Sequence, residues 1–163
     1  MRQRAGLTLI EALLAATLLA AVIGAVLCPF AAAASNQKFA ERQTLASFLA
    51  QEMMEEVLSM PYADPDGDSE PGPEFDESSR SAYDNIDDYD GLDEPPGAIT
   101  SFDGTVFTGD AADGLSRHTA VKYVFVSGQD TSADATFAEV TVTVKHEGRE
   151  IVRLRRLVYE VDS

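Results

Sequence analysis

The stretch that decides the fold is RQRAGLTLIEALLAATLLAAVIGAVLCPFAAAA, residues 2–34. One carboxylate, Glu11, lies just inside the apolar run, and no formal charge follows from Ala12 through Gln37. A membrane-spanning helix needs roughly 20 apolar residues at about 1.5 Å each, so this run is long enough to cross a bilayer. Because Arg2 and Arg4 lie on the short N-terminal side, we expect a cytoplasmic N-terminus and an exported remainder.

Ordinary export segments explain only parts of this pattern. A cleaved secretory signal has a shorter apolar core and a small-residue cleavage site, which Ala31–Ser35 could provide. A lipoprotein signal would use Cys28, but bulky side chains precede it. An uncleaved anchor leaves Glu11 unexplained, because a charge inside a membrane segment costs roughly 2.5–3.5 kcal/mol. Glu11 could also act only as a favourable charge at the helix N-terminus.

The segment Gly6-Leu7-Thr8-Leu9-Ile10-Glu11 resembles the processing motif of type IV pilins and type II secretion pseudopilins. That motif is a basic leader followed by Gly, a hydrophobic residue, Thr, Leu, an aliphatic residue and Glu. The resemblance implies cleavage by prepilin peptidase between Gly6 and Leu7, and methylation of the new amine on Leu7, where Phe or Met is commoner. It also implies a single-pass inner-membrane protein with a periplasmic C-terminal domain, which an assembly platform adds to a filament of similar subunits.

Physical arguments agree with a filament subunit. After cleavage, the amine of Leu7 would lie one helical turn from Glu11, and this carboxylate could pair with the amine of a neighbouring subunit. Such pairing offsets two buried charges and can fix register. A ridge of small residues at every fourth position would let membrane helices approach closely: Ala12, Ala16, Ala20, Gly24 and Cys28. Pro29 lacks a backbone donor, so we expect a kink or loosening near Gly24–Pro29.

Composition limits the function of the 163-residue chain. Its net charge of −16 disfavours binding to nucleic acid, which depends on Lys and Arg at phosphates. A single cysteine excludes an intrachain disulfide. His118 and His146 lack a metal-ligand pattern, and the chain has no phosphate-binding loop or nucleophile elbow. We therefore expect a protein that is not an enzyme.

An amphipathic pattern extends the helix beyond the membrane segment, roughly from Leu9 to Ser59, before Pro61 ends it. Its apolar face, expected to pack on a globular domain, consists of Leu45, Ala46, Phe48, Leu49, Met53, Val57 and Met60. Within the resemblance, Leu49–Val57 is similar to the stem end of minor subunits of the pilus V-type or pseudopilus I-type. The expected segments are a leader (1–6), a transmembrane and assembly helix (7–35), its amphipathic continuation (36–60), an acidic loop (61–99) and a β-sheet (100–163).

Between Ala63 and Ala98 lie 13 of the 28 acidic residues and five of the seven prolines. This composition disfavours a packed core and predicts a long loop. We expect five apolar side chains to anchor it: Phe75, Tyr83, Ile86, Tyr89 and Leu92. Alternating carboxylates around a glycine could bind calcium, and the candidate ligands are Asp64, Asp66, Asp68 and Glu70. A second candidate cluster contains Asp84, Asp87, Asp88 and Asp90; a solvated loop without metal is the alternative to both.

Strand-forming residues dominate after Thr100. The expected strands are Thr105–Thr108, Arg117–Ser127, Thr136–His146 and Ile151–Val161, with a tight turn at Glu147-Gly148-Arg149. Val140, Val142 and Val144 alternate with polar residues and should face the core. The sequence thus predicts an α+β fold, in which a long N-terminal helix packs on a small antiparallel sheet of three or four strands.

Two functions remain open from the sequence. The first is a non-enzymatic minor subunit of a type IV pilus or type II secretion pseudopilus. The alternative is a signal-anchored periplasmic binding module that never polymerises and whose acidic loop holds calcium or a partner. One basic cluster is expected to pair with the acidic loop or a neighbouring subunit: Arg149, Arg153, Arg155 and Arg156.

Overall fold

A computed structural model of the protein describes residues 8–65, 72–129 and 135–159. The chain divides into two units, Met1–Ala40 and Glu41–Ser163. Five of the predicted site residues lie outside the described ranges: Gly6, Leu7, Asp66, Asp68 and Glu70.

One α-helix, α1, covers Leu9–Leu58 and confirms the helix expected from Leu9 to Ser59. Gly24 and Pro29 lie inside α1, and the helix continues past both, so the expected loosening does not interrupt it. Every described residue of the first unit is exposed. This part of α1 is long and apolar enough to span a membrane.

In the second unit, the last turns of α1 supply one side of the core. Ala46, Leu49, Met53 and Val57 are fully buried, as the amphipathic pattern predicted. Phe48 is 53% exposed and contacts Phe107 edge to face, with ring centroids 6.2 Å apart. Phe48 therefore lies at the margin of the core.

Four antiparallel strands form a sheet with the order β1-β2-β3-β4: β1 (Asp93–Glu94), β2 (Leu115–Val124), β3 (Phe137–His146) and β4 (Arg149–Tyr159). Val140, Val142 and Val144 of β3 are fully buried. Glu147 and Gly148 connect β3 to β4 with φ values of 49° and 78°, as a two-residue turn of type I′ requires. The α+β prediction and the predicted turn are confirmed.

Two expected elements differ from the structure. Thr105–Thr108 does not form a strand and contributes only the isolated bridge between Val106 and Thr100. The additional strand β1 lies instead in the acidic segment, where Glu94 pairs with Arg117 of β2. Asp and Glu are poor strand formers, and this strand is stabilised by an ion pair between the same two residues.

The acidic segment is anchored by fewer apolar side chains than expected. Ile86 and Tyr89 are fully buried, and Tyr83 and Leu92 pack half-buried against the core. Phe75 is fully exposed, so its predicted anchoring role is wrong. Polar contacts hold the nearby backbone instead, since the amide of Gly72 donates to Asp87 Oδ2 at 3.0 Å.

Candidate functional site

Arg117 joins the acidic segment to α1 and the sheet. Its side chain is completely buried, and its Nε donates to Glu94 Oε2 at 2.5 Å. Nη1 donates to Glu52 Oε2 at 3.1 Å and to the Leu49 carbonyl at 3.0 Å, while Nη2 donates to the Thr100 carbonyl at 2.6 Å. The guanidinium therefore contacts three separate parts of the second unit.

Arg80 forms the second half of this buried network. It binds both oxygens of Glu56, and its Nη1 lies 3.3 Å from Glu94 Oε1 and 2.9 Å from the Thr100 carbonyl. The Tyr89 hydroxyl donates to Glu56 Oε1 at 2.9 Å, and burial followed by the charge of Glu56 raises the pKa of Tyr89. These buried charges are thus paired, and their role is structural.

Two exposed arginines of β4 pair with glutamates outside the acidic segment. Arg153 pairs with Glu150 at 2.5 Å on the same strand, and Arg155 pairs with Glu139 of β3 at 3.4 Å. Neither arginine pairs with residues 61–65 or 72–99, the part of the expected acidic loop that the structure describes. Contact with a neighbouring subunit stays a prediction.

Three carboxylates from two parts of the acidic segment converge. Glu74, Glu77 and Asp88 each offer one oxygen, and these three oxygens lie within 4.8 Å of one another. Glu77 and Asp88 are buried and Glu74 is half-buried. This group could hold a metal ion, and it differs from the predicted Asp64 group, whose one described member, Asp64, is half-buried.

Asp88 is fully buried, and its two carboxylate oxygens differ in their hydrogen bonding. Its Oδ2 accepts hydrogen bonds from the amides of Asp84 and Asn85 at 2.9 and 3.0 Å. Its Oδ1 has no hydrogen-bond partner within the described residues. A buried acceptor without a partner costs about 1–3 kcal/mol, and more when it is charged.

Asp87 and Asp90, two other members of the predicted second cluster, stabilise the fold. Asp87 Oδ1 accepts from the Tyr123 hydroxyl at 2.9 Å, and its Oδ2 binds the Gly72 amide. Asp90 Oδ1 accepts from the Val121 amide at 2.9 Å. Of the predicted second cluster, only Asp88 belongs to the three-carboxylate group. The other two members of that group, Glu74 and Glu77, were not among the ligands predicted from the sequence.

Glu77 differs electrostatically from an ordinary surface glutamate. Burial raises the pKa of Glu77 to about 8; the side chains of Glu74 and Asp88 raise it further, whereas the hydrogen bond from the Glu74 amide lowers it. Its Oε2 also accepts the Glu74 amide at 3.1 Å. Near neutral pH, the three carboxyl groups therefore retain a proton unless a cation neutralises them.

At the start of α1, Thr8 and Glu11 cap the helix reciprocally. The amide and the hydroxyl of Thr8 both donate to Glu11 Oε2 at 2.9 Å, and the Glu11 amide donates to the Thr8 hydroxyl at 3.3 Å. This is a capping box, which the T-x-x-E spacing before an apolar run indicates but which the sequence analysis missed. The carboxylate is therefore satisfied within its own helix.

No family model, curated protein or solved structure matches the chain. Its function is therefore inferred from its own residues.

Proposed function

We propose that this chain is a non-enzymatic, pilin-like structural subunit of a type IV pilus or type II secretion pseudopilus, present as a minor component. Prepilin peptidase would process it, and the first part of α1 would anchor it in the inner membrane before assembly. One observation carries the proposal: the motif at residues 6–11 leads directly into a helix whose apolar first part, up to Ala40, is entirely exposed over its described residues.

That apolar surface requires a nonaqueous partner. Leu9 is 83% exposed, Leu18 60% and Phe30 70%, although burying apolar surface contributes roughly 25 cal/mol per Å². Exposed apolar surface of this extent indicates a membrane or a protein interface. In the proposed mechanism, lipid covers it first, and the helices of neighbouring subunits cover it in the filament.

Glu11 would change partners during assembly. In the single chain, its carboxylate accepts two hydrogen bonds from Thr8, which reduces the cost of placing it beside an apolar segment. In the filament, the methylated amine of Leu7 from a neighbouring subunit would supply the opposite charge. Removal of one member of a buried ion pair is costly, so this pairing would select the register of the subunits.

Substitutions at Glu11 and Thr8 separate pairing from capping. Glu11→Gln retains an oxygen for the cap but removes the charge, whereas Thr8→Val removes the capping hydroxyl and keeps the charge. We expect both variants to be cleaved, but only Glu11→Gln to be depleted from sheared filaments relative to wild type. Normal incorporation of Glu11→Gln would refute the pairing role.

The alternative is an anchored binding module that remains in the membrane. The convergent carboxylates of Glu74, Glu77 and Asp88 are the observation that favours it, because they form a candidate ligand site in the second unit. Such a module would remain in the membrane fraction and would not enter filaments under any condition.

A further inference from the structure

We propose that Glu74, Glu77 and Asp88 bind a calcium ion, which ties the backbone around Glu74 to the short helix Asp87–Tyr89. The proposal concerns the second unit alone and does not depend on filament assembly. It also differs from the calcium loop expected at Asp64–Glu70.

The spacing of the three oxygens fits a calcium ion. Calcium contacts its ligands at about 2.3–2.6 Å, so opposite ligands are about 5 Å apart. The carboxylate oxygens of this site lie within 4.8 Å of one another. The donor set contains only oxygen, which favours a hard cation over zinc or copper.

The free oxygen of Asp88 is an independent indication of a ligand. Asp88 is 0% exposed, and two backbone amides already bind its Oδ2. These amides hold the carboxylate in place, while Oδ1 lacks a hydrogen-bond partner within the described residues. A buried, positioned and unpartnered carboxylate oxygen is what an ion would complete.

No nearby arginine substitutes for the ion in the described part of the chain. Arg80 is the closest basic residue in sequence, but its hydrogen bonds go to Glu56, Glu94 and Thr100. Three converging carboxylates repel one another when all are ionised, and either a bound proton or a bound cation lowers that repulsion. A divalent ion would remove this repulsion and supply the missing contact of Asp88.

The test is a calcium titration of the full chain in detergent micelles after treatment with a chelator. Isothermal calorimetry measures the affinity, and the melting temperature is compared in calcium and in chelator. We expect one calcium ion per chain and a higher melting temperature with calcium. Absence of both responses in the millimolar range would overturn the proposal, and an equal response to magnesium would overturn the choice of calcium.

Two variants with the same change in charge locate the ion. Glu77→Gln should weaken calcium binding by at least about tenfold, because it removes a ligand charge. Asp76→Asn is the control, since Asp76 is exposed and lies in the same stretch but outside the three-carboxylate group; it should bind within about twofold of wild type. Equal losses in both variants would indicate diffuse attraction to an acidic surface and contradict the site.

A third variant separates this site from the one expected from sequence. Asp66→Asn combined with Asp68→Asn should retain binding. Loss of binding in that double variant, with normal binding by Glu77→Gln, would assign the ion to the other group and refute the proposal. Folding of Glu77→Gln is checked by its melting temperature in chelator near neutral pH, which should be close to that of wild type because glutamine, like the protonated carboxyl group of Glu77, is neutral and keeps an acceptor oxygen.

Discussion

Replacing Arg117 with methionine tests whether the buried ion pairs hold the second unit together. The substitution keeps an unbranched apolar side chain in the core but removes every donor of the guanidinium. Glu94 loses its 2.5 Å contact, and the carbonyls of Leu49 and Thr100 each lose a hydrogen bond. The buried carboxylate of Glu94 is then left with fewer partners than it has in the wild type.

The remaining contacts set the size of the effect. Removing one partner from a buried ion pair costs about 3–5 kcal/mol. Glu94 retains Arg80 at 3.3 Å and the Thr100 amide at 2.9 Å, so we expect the lower part of that range. The predicted loss in the free energy of unfolding is about 3 kcal/mol.

Urea unfolding of the full chain in micelles measures this loss. Near-ultraviolet circular dichroism of the tyrosines is a suitable signal, because the chain has five tyrosines and no tryptophan. The control is Arg155→Met, which removes an exposed arginine 3.4 Å from Glu139 and should cost less than about 1 kcal/mol. A loss below about 1 kcal/mol for Arg117→Met would refute the structural role of the network.

A double variant tests whether Arg117 and Glu94 are energetically coupled. Arg117→Met combined with Glu94→Gln removes both charges, so Glu94 is no longer a buried carboxylate short of partners. The double variant should lose less free energy of unfolding than the sum of the losses in the two single variants. The expected difference is about 0.5–3 kcal/mol, the usual coupling between residues in contact. Additive losses would show that the pair is not coupled.

Two further predictions concern single residues. In chelator, the free energy of unfolding should fall as the pH rises from about 4.5 to about 8. The reason is that Glu77 in the folded chain, with a pKa of about 8, keeps a proton that the unfolded chain releases near 4.5. Glu77→Gln should flatten this pH dependence, and an unchanged slope in that variant would contradict the assignment to Glu77. Gly114→Ala should destabilise the protein by about 1–3 kcal/mol in urea unfolding, because φ is +71° and the added Cβ would lie 3.1 Å from His146 Cδ2. Gly97→Ala, with φ of +81° and open space around the Cβ, is its control, and an equal loss would exclude a contribution from His146.

Periodic patterns predicted most of the regular structure. Two elements, α1 and β3, could be predicted from the sequence because their patterns involve residues close together in the chain. These patterns are the helical spacing from Leu9 onward and the alternation at Val140, Val142 and Val144. The two-residue strand β1 has no such pattern, because it forms by pairing with Arg117, 23 positions after Glu94. Short elements of this kind depend on contacts between distant parts of the chain.

The candidate metal site was harder to predict for the same reason. Glu74 and Glu77 are only three positions apart in sequence, but Asp88 reaches them because Ile86 and Tyr89 bury the short helix that carries it. The alternating acids at Asp64–Glu70 form a clearer local pattern, although local pattern alone does not determine which carboxylates converge. Burial of Asp88 and its amide contacts are properties of the fold.

The most direct test of the central claim is the mass of the N-terminal peptide of the chain, isolated from cells that contain prepilin peptidase. If the chain is a processed pilin-like subunit, this peptide begins at Leu7 and carries one added methyl group on its amine. The same measurement on a Gly6→Leu variant should return the unprocessed terminus. A wild-type peptide that begins at Met1, or a terminus near Ser35, would contradict the proposal that this chain is a pilin-like subunit.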